Sequence, residues 1–322
     1  MLRIVFMGTP EFAVPTLSIL LDAGYSIPAV VTAPDKPAGR GRKISISPVK
    51  EFALSKKIPL LQPEKLKDPG FLSELRNLEA DLFVVVAFRM LPELVFSMPP
   101  LKTINLHASL LPEYRGAAPI NHALMNGEKE SGLTTFFIEQ KIDTGAILLQ
   151  EKISIGADEN FGALHDRMKI SGAKLVLETV KLIESGKAKP LPQPQKTGLV
   201  KEAPKLTREI MKIDWEESAE KIHNKIRGLS PYPAAFTFFS DPEGKTFPVK
   251  ILSASHTKTD SGLIPGEIRF EGNDVIKIGA APGTVFIHNL HPGGGKAMDA
   301  RSFLAGIRKK EGWKAVSSES NT

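Results

Sequence analysis

Apolar and polar positions along this chain alternate between two rhythms. Leu2 to Met7 is an almost continuous apolar run and reads as a buried strand. Phe12 to Ala23 reads as a helix, and Gly24 marks its stop. Pro28 to Thr32 reads as a second strand, followed by a loop rich in Pro, Gly and Arg. Ser47 to Lys56 can form a helix with Pro48 in its first turn. Ala80 to Ala87 is apolar and β-branched, as expected of a central parallel strand covered on both faces. Leu101 to Leu106 is the next strand. This alternation predicts an α/β fold with a Rossmann-like, doubly wound parallel sheet. Met7-Gly-Thr-Pro10 stands where a dinucleotide fold carries its glycine-rich turn, but Gly-x-Gly-x-x-Gly is missing. A tight turn packing strand on helix is expected there, and no nicotinamide site.

Phe161 to Gly186 reads as one long amphipathic helix that closes a first domain, residues 1–189. Pro190-Leu-Pro-Gln-Pro194 breaks regular structure and predicts a stiff linker over 190–204. Beyond it the rhythm changes. A helix at Ser218 to Arg227 precedes Pro231-Tyr-Pro233. Short strand-like runs follow at Ala235–Phe239, Phe247–Ser253, Gly266–Phe270, Val275–Gly279 and Thr284–Leu290. Their spacing predicts a small barrel over 205–312, of the five-stranded, OB-like type. The polar segment 313–322 is expected to be a disordered tail.

Composition narrows the function classes. The chain has 322 residues, comfortable for two domains, with 42% hydrophobic and 24% charged residues. No apolar run reaches bilayer-spanning length. The start on a strand pattern leaves no room for a signal or transit peptide, so a cytoplasmic location is expected. Cysteine is absent, which excludes disulfides, thiolate catalysis and cysteine-ligated metals. The seven histidines show no His-x-x-x-His spacing, and no metal is expected. The net charge of +6 is compatible with a nucleic-acid partner without establishing one. Where the cations stand says more. The stretch from Ala33 to Lys43 concentrates Lys36, Arg40, Arg42 and Lys43 with two glycines. Such cations suit phosphates, although a solvated surface loop has the same composition.

The densest chemistry lies in two motifs. An apolar run ends at His107 in Asn105-Leu-His107-Ala-Ser-Leu-Leu-Pro112, and the chain then turns through Arg115-Gly116. Asn105 and His107 occupy alternate positions, so on a strand they project from one face. An amide can bind a developing oxyanion while an imidazole carries a proton. Asp143 follows a second apolar run, Leu133 to Ile142, and can hold the imidazole in one tautomer. An isolated Asn-x-His can also simply terminate a buried strand.

These motifs, with Asp143-Thr-Gly145, resemble the folate signature of the 10-formyltetrahydrofolate-dependent formyltransferases, and the likeness extends from Met1 to about Arg308. The resemblance implies a catalytic trio of Asn105, His107 and Asp143, and 10-formyltetrahydrofolate as cosubstrate. It implies a folate pocket of Phe88, Arg89, Met90 and Leu91 facing Ser109, Leu110, Leu111 and Pro112. Core packing is an equally good account of the two leucines. Phe88-Arg89-Met90 departs from the family's commoner aromatic-Gly pattern, and an arginine there is similar to the sugar-nucleotide N-formyltransferases. Lys36, Arg40, Arg42 and Lys43, with Ala203-Pro-Lys-Leu-Thr207, resemble instead the branch that acts on tRNA. The implied partner is initiator methionyl-tRNA, and a monomer is expected. The rivals are formyl transfer to a sugar nucleotide, hydrolysis of formyltetrahydrofolate, and RNA binding without catalysis.

Overall fold

Apolar runs become strands where the sequence places them. In the first unit β1 (Ile4–Gly8) pairs in parallel with β2 (Val30–Val31). An antiparallel hairpin, β3 (Lys36–Ala38) with β4 (Lys43–Ser45), follows β2. β5 (Leu60–Leu61) extends the sheet beyond β2, and β6 (Leu82–Val86) lies parallel on the other side of β1. β7 (Thr103–His107) runs parallel to β6. After the short β8 (Arg115–Gly116), β9 (Glu130–Phe137) pairs antiparallel with β7, and β10 (Ile147–Ser154) antiparallel with β9. The sheet order is β10-β9-β7-β6-β1-β2-β5. The sheet is therefore mixed, and β9 runs against the other strands. The short connection 138–146 allows only an antiparallel return from β9 to β10. The computed structural model describes residues 1–38, 43–194, 200–259, 261–316 and 318.

Packing explains two glycines. A Cβ on Gly8 would fall 2.8 Å from the Cβ of Ala13 and 3.0 Å from the carbonyl oxygen of Val86. The turn after β1 thus serves close strand–helix packing. One face of the sheet buries Val5, Met7, Phe83 and Val85 against Phe71, Leu72 and Leu75 of the helix Pro69–Asn77. Each fully buried side chain of this kind contributes about 1.5–3 kcal/mol. The long helix Phe161–Glu184 seats its Gly172 on Leu106 of β7, where a Cβ would lie 2.7 Å from Leu106 Cδ2. This contact buttresses the strand that carries Asn105 and His107.

The chain forms two compact units, and their limits differ from the expected single linker. Residues 120–129 and 155–164 cluster with 203–322, and the rest of 1–202 forms the first unit. Within the second unit the Asn121 amide donates to the Gly228 carbonyl at 2.8 Å, and Arg227 donates to the carbonyl of Glu159 at 3.1 Å. The expected linker also begins as part of the first unit. Leu191 and Ile147 exchange two backbone hydrogen bonds of 2.8 Å, which adds Leu191 beside β10.

The second unit holds the expected barrel. Its sheet runs Ile268–Glu271, Val275–Ala280, Gly283–Pro292, Thr246–Thr257, Ala235–Ser240, Lys314–Val316. The ends meet through Ile268 N–H to Trp313 O at 3.0 Å and Ala315 N–H to Gly266 O at 2.7 Å. The predicted disordered tail is corrected here, because 314–316 is the closing strand. Trp313 is buried edge-on against Phe247, Phe270 and Phe303, and Ala315 is buried one alternation later. The segment is too short and too polar for that alternation to stand out in the sequence.

Candidate active site

The site is built on the end of β7. Ile104 and Leu106 are buried toward one face, and Asn105 and His107 project from the other. Asn105 lies in register between Val85 of β6 and Phe136 of β9. Its amide is partly exposed and, among the described residues, holds no side-chain hydrogen bond. Its donors are therefore free for a substrate oxygen.

His107 is 6% exposed, and its Nε2 hydrogen-bonds the Tyr114 carbonyl at 2.8 Å. A carbonyl only accepts, so this contact keeps a proton on Nε2 and turns Nδ1 toward Asp143. Nδ1 stands 3.7 Å from Asp143 Oδ2, a distance for ionic attraction and too long for a hydrogen bond. The expectation that Asp143 sets the tautomer is corrected. A main-chain carbonyl does so, carried back toward His107 by a left-handed turn at Tyr114, φ 58°.

Asp143 also sits differently from the expected strand end. β9 stops at Phe137, and Asp143 lies in the 138–146 loop with φ 53°, next to Ile142, which is 60% exposed. Its Oδ2 accepts the backbone N–H of Gly116 at 2.9 Å. Gly145 explains the local motif. A Cβ there would lie 1.7 Å from the Phe137 carbonyl oxygen, so only glycine lets the loop close. The structure thus brings His107, Asp143 and Gly116 together at one sheet edge.

The turn after β7 is pinned from beneath. Ser109 is fully buried and its hydroxyl donates to Glu113 O at 2.6 Å. Thr134 Oγ1 donates to Ser109 O at 2.7 Å and accepts Leu111 N–H at 3.2 Å, while the Gln150 amide donates to Leu111 O at 3.0 Å. Leu111 packs with Phe136 and Ile147, and Pro112 is buried. Leu110 overlies Gly132, where a Cβ would fall 2.4 Å from its Cδ2. Core packing is thus the role in which the structure places Leu111. Thr134 and Gln150, which fix this turn, were not singled out in the sequence. The available signal was Thr134, a polar residue inside the apolar run of β9; Gln150 is exposed and carried none.

On the facing loop, Leu91 is buried, Phe88 packs against the same core, and Met90 is 74% exposed. Arg89 donates to the carbonyls of Pro63 and Glu64, and burial lowers its pKa. It ties the loop after β6 to the segment after β5. A cleft of about 680 Å³ lined by Gln62, Glu64 and Phe71 lies there, and Asn105, His107 and Asp143 do not line it. Lys36 and Lys43 stand on the two strands of the β3–β4 hairpin, and Arg40 and Arg42 lie outside the described residues. The base of the hairpin is tied by Lys50 to Asp35 at 2.5 Å and to Gln62 at 2.8 Å. Hydrogen bonds from Lys50 and Gln62 hold the Asp35 carboxyl below the usual range. Among the described residues no cluster of metal-ligating side chains occurs, and no helix is long and apolar enough to cross a membrane.

Comparison with known proteins agrees with this geometry. Residues 2–180 match the model described as formyl transferase, and 205–308 the one described as formyl transferase, C-terminal domain. The chain belongs to the formyl transferase family. It is 47% identical over 315 residues to the methionyl-tRNA formyltransferase of Bacteroides fragilis, covering 97% of each chain. It is 49% identical to the enzyme of that name from Flavobacterium johnsoniae, covering 95% of this chain and 96% of the relative. Among solved structures, the sugar 3N-formyl transferase WlaRD shares the fold with a TM-score of 0.66 at 22% identity, covering 91% and 98% of the two chains. A Helicobacter canadensis N-formyltransferase solved with folinic acid and dTDP-3-aminofucose has a TM-score of 0.65 at 19% identity, covering 89% of this chain and 99% of its own.

Proposed function

We propose that this enzyme transfers the formyl group of 10-formyltetrahydrofolate to the α-amine of methionine on initiator tRNA, supporting translation initiation in the cytoplasm. The observation that carries the reading is the His107–Asp143 pair, 3.7 Å apart, beside the free amide of Asn105. Relatives 45–49% identical over nearly the whole chain bear the name methionyl-tRNA formyltransferase, which favours a tRNA amine over a sugar nucleotide.

The folate cosubstrate fits the donor set. Asn105 offers an unsatisfied amide, and the exposed Met90 and Ile142 offer apolar surface on loops at the same edge of the sheet. When bound, 10-formyltetrahydrofolate supplies the formyl carbon and a nitrogen leaving group. The residues of the chain do the rest. Asn105 donates to the carbonyl oxygen as negative charge develops on it. His107, protonated at Nε2 toward Tyr114, presents Nδ1 to take the proton that the attacking amine must lose. The imidazolium so formed faces the Asp143 carboxylate, which stabilises its charge and keeps it oriented. The same pair can return the proton to the departing nitrogen, so the chemistry needs neither a metal nor a protein nucleophile.

For the tRNA, the β3–β4 hairpin emerges after β2 at the carboxyl edge of the sheet, the edge where β7 ends. Lys36, Arg40, Arg42 and Lys43 would contact phosphates there, with the barrel unit contributing further affinity. The test is to offer labelled formylfolate with methionyl-tRNA, with an amino-sugar nucleotide, or with water alone. Label on methionyl-tRNA is expected; label on the sugar or only in formate would overturn the assignment.

A further inference from the structure

Gln193 lies in the Pro-rich segment after the long helix, yet its side chain reaches the catalytic loop. Its Nε2 donates to two main-chain carbonyls, Asp143 O at 2.8 Å and Gly145 O at 2.9 Å. Its Oε1 accepts from Nε of Arg115 at 3.2 Å and also from Nη2. The neighbouring Gly116 N–H is the group that holds Asp143 Oδ2. Arg115-Gly116 and Asp143-Thr-Gly145 are therefore joined twice, once directly and once through Gln193. The segment carrying Gln193 is itself anchored, because Leu191 exchanges two backbone hydrogen bonds with Ile147.

The chemistry of the amide suits the task. The two carbonyls need two N–H donors converging from one atom, and the arginine needs an acceptor. Among neutral side chains a primary amide supplies both. The loop also needs the support. Asp143 holds φ 53°, a left-handed conformation uncommon for a residue bearing a Cβ, and the surroundings must hold it there.

We propose that Gln193 is a positioning residue for formyl transfer, acting through Asp143 without touching substrate. Its clamp on the Asp143 and Gly145 carbonyls fixes the loop so that the carboxylate faces Nδ1 of His107. The proposal rests on the reading of His107 and Asp143 as the proton-handling pair.

The test uses the full chain with Gln193→Met, which keeps the volume and removes every hydrogen bond, and Gln193→Glu, which keeps the acceptor for Arg115 and removes both donors. Displacing a catalytic group by about 1 Å costs about a hundredfold in rate, so kcat is expected to fall roughly 10- to 100-fold in each. Both KM values should stay within about threefold, because ground-state binding is untouched. A cycle with Asp143→Ala gives the decisive readout, by single-turnover transfer. Once the carboxylate is gone, Gln193→Met should cost less than about threefold more, since the two act as one unit. Equal losses in both backgrounds, an unchanged kcat, or a change confined to KM would overturn the proposal. If Gln193→Met fails to fold by circular dichroism, Gln193→Glu carries the comparison. If the wild-type chain formylates another acceptor or water, the substrate reading fails, and the same cycle run on that reaction still tests Gln193.

Discussion

Replacing Gly145 by alanine isolates the geometry of the loop that carries Asp143 without touching any of the three side chains proposed as catalytic. The new Cβ would lie 1.7 Å from the carbonyl oxygen of Phe137 and 2.9 Å from its carbon. Ordinary contact begins at 3.4 Å and so requires a retreat of about 1.7 Å. Phe137 cannot make that retreat, because it is held in register with Ile104 of β7. The next residue is held too, its N–H donating to Thr103 O at 2.8 Å. The loop must move instead. The first contacts at risk are the Gln193 bonds to Asp143 O and Gly145 O, and Asp143 moves with them. A misplacement of about 1 Å costs on the order of a hundredfold in rate, equivalent to about 2.7 kcal/mol. Overpacking at such a site costs roughly 1–3 kcal/mol of stability. The assay is kcat at saturating formylfolate and methionyl-tRNA, with urea unfolding measured in parallel. Gly295→Ala is the control, since the nearest atom to its Cβ is an ordinary 3.5 Å away. A folded Gly145→Ala enzyme within threefold of wild-type kcat would refute the claim that loop closure positions Asp143.

Other outcomes follow from the same structure. Asn105→Ala, His107→Ala and Asp143→Asn should each lower kcat by about a hundredfold or more while folate and tRNA still bind, measured by steady-state kinetics and equilibrium binding; a loss confined to KM would make them binding residues only. Arg40→Ala with Arg42→Ala should impair formylation of methionyl-tRNA and flatten its salt dependence, leaving formylfolate hydrolysis nearly unchanged; an equal fall in both reactions would assign the loop to the folate site or the fold. His223 in the second unit is held below the ordinary histidine value by burial first, then by His256 and Arg227, with Asp158 opposing. The unfolded chain therefore binds a proton that the folded unit refuses, so stability is complete above the unfolded pKa and falls as pH drops below it, by at most about 1.4 kcal/mol per pH unit. His223→Phe should lessen the slope of urea stability between about pH 6.5 and 5; an unchanged slope would place that proton elsewhere.

Much of the fold was legible because burial on both faces writes itself as continuous apolar sequence. β6 falls inside the run that predicted it, and β1 and β7 overrun theirs by one residue each, at Gly8 and His107. The helix Pro48–Ser55 begins where Ser47, accepting Lys50 N–H at 3.1 Å, said it would. The barrel strands were legible through their spacing, except the one at Lys314–Val316, whose burial rests on Trp313 and Ala315 amid polar neighbours. In the site, Asn105 and His107 were legible because strand alternation fixes their common face. Asp143 was found by its motif and misplaced by its neighbours, since Ile142 extended the apolar run while pointing outward. Gln193 was invisible, because a glutamine between two prolines carries no periodic signal and its partners are main-chain carbonyls remote in sequence.

The main-chain acceptor on His107 has the widest consequence for the proposed mechanism. If Asp143 held the tautomer by accepting a hydrogen bond from Nδ1, the ring's free nitrogen would be Nε2 and the carboxylate would lie behind the imidazole. The structure places the main-chain acceptor behind it instead, 2.8 Å from Nε2. A carbonyl oxygen has no proton to give and takes none under turnover conditions, so in the proposed mechanism the Nε2 proton would stay in place. Proton exchange in the proposed mechanism would then fall to Nδ1, and the group facing it is the Asp143 carboxylate at 3.7 Å. The carboxylate then stands on the reactive side of the ring, held by Gly116 N–H at 2.9 Å and free to close on Nδ1 once the ring is charged. In the proposed mechanism, attraction between the two would grow as the amine gives up its proton and fade when the leaving nitrogen takes it. Stabilisation that appears only while charge is displaced lowers the barrier without tightening ground-state binding.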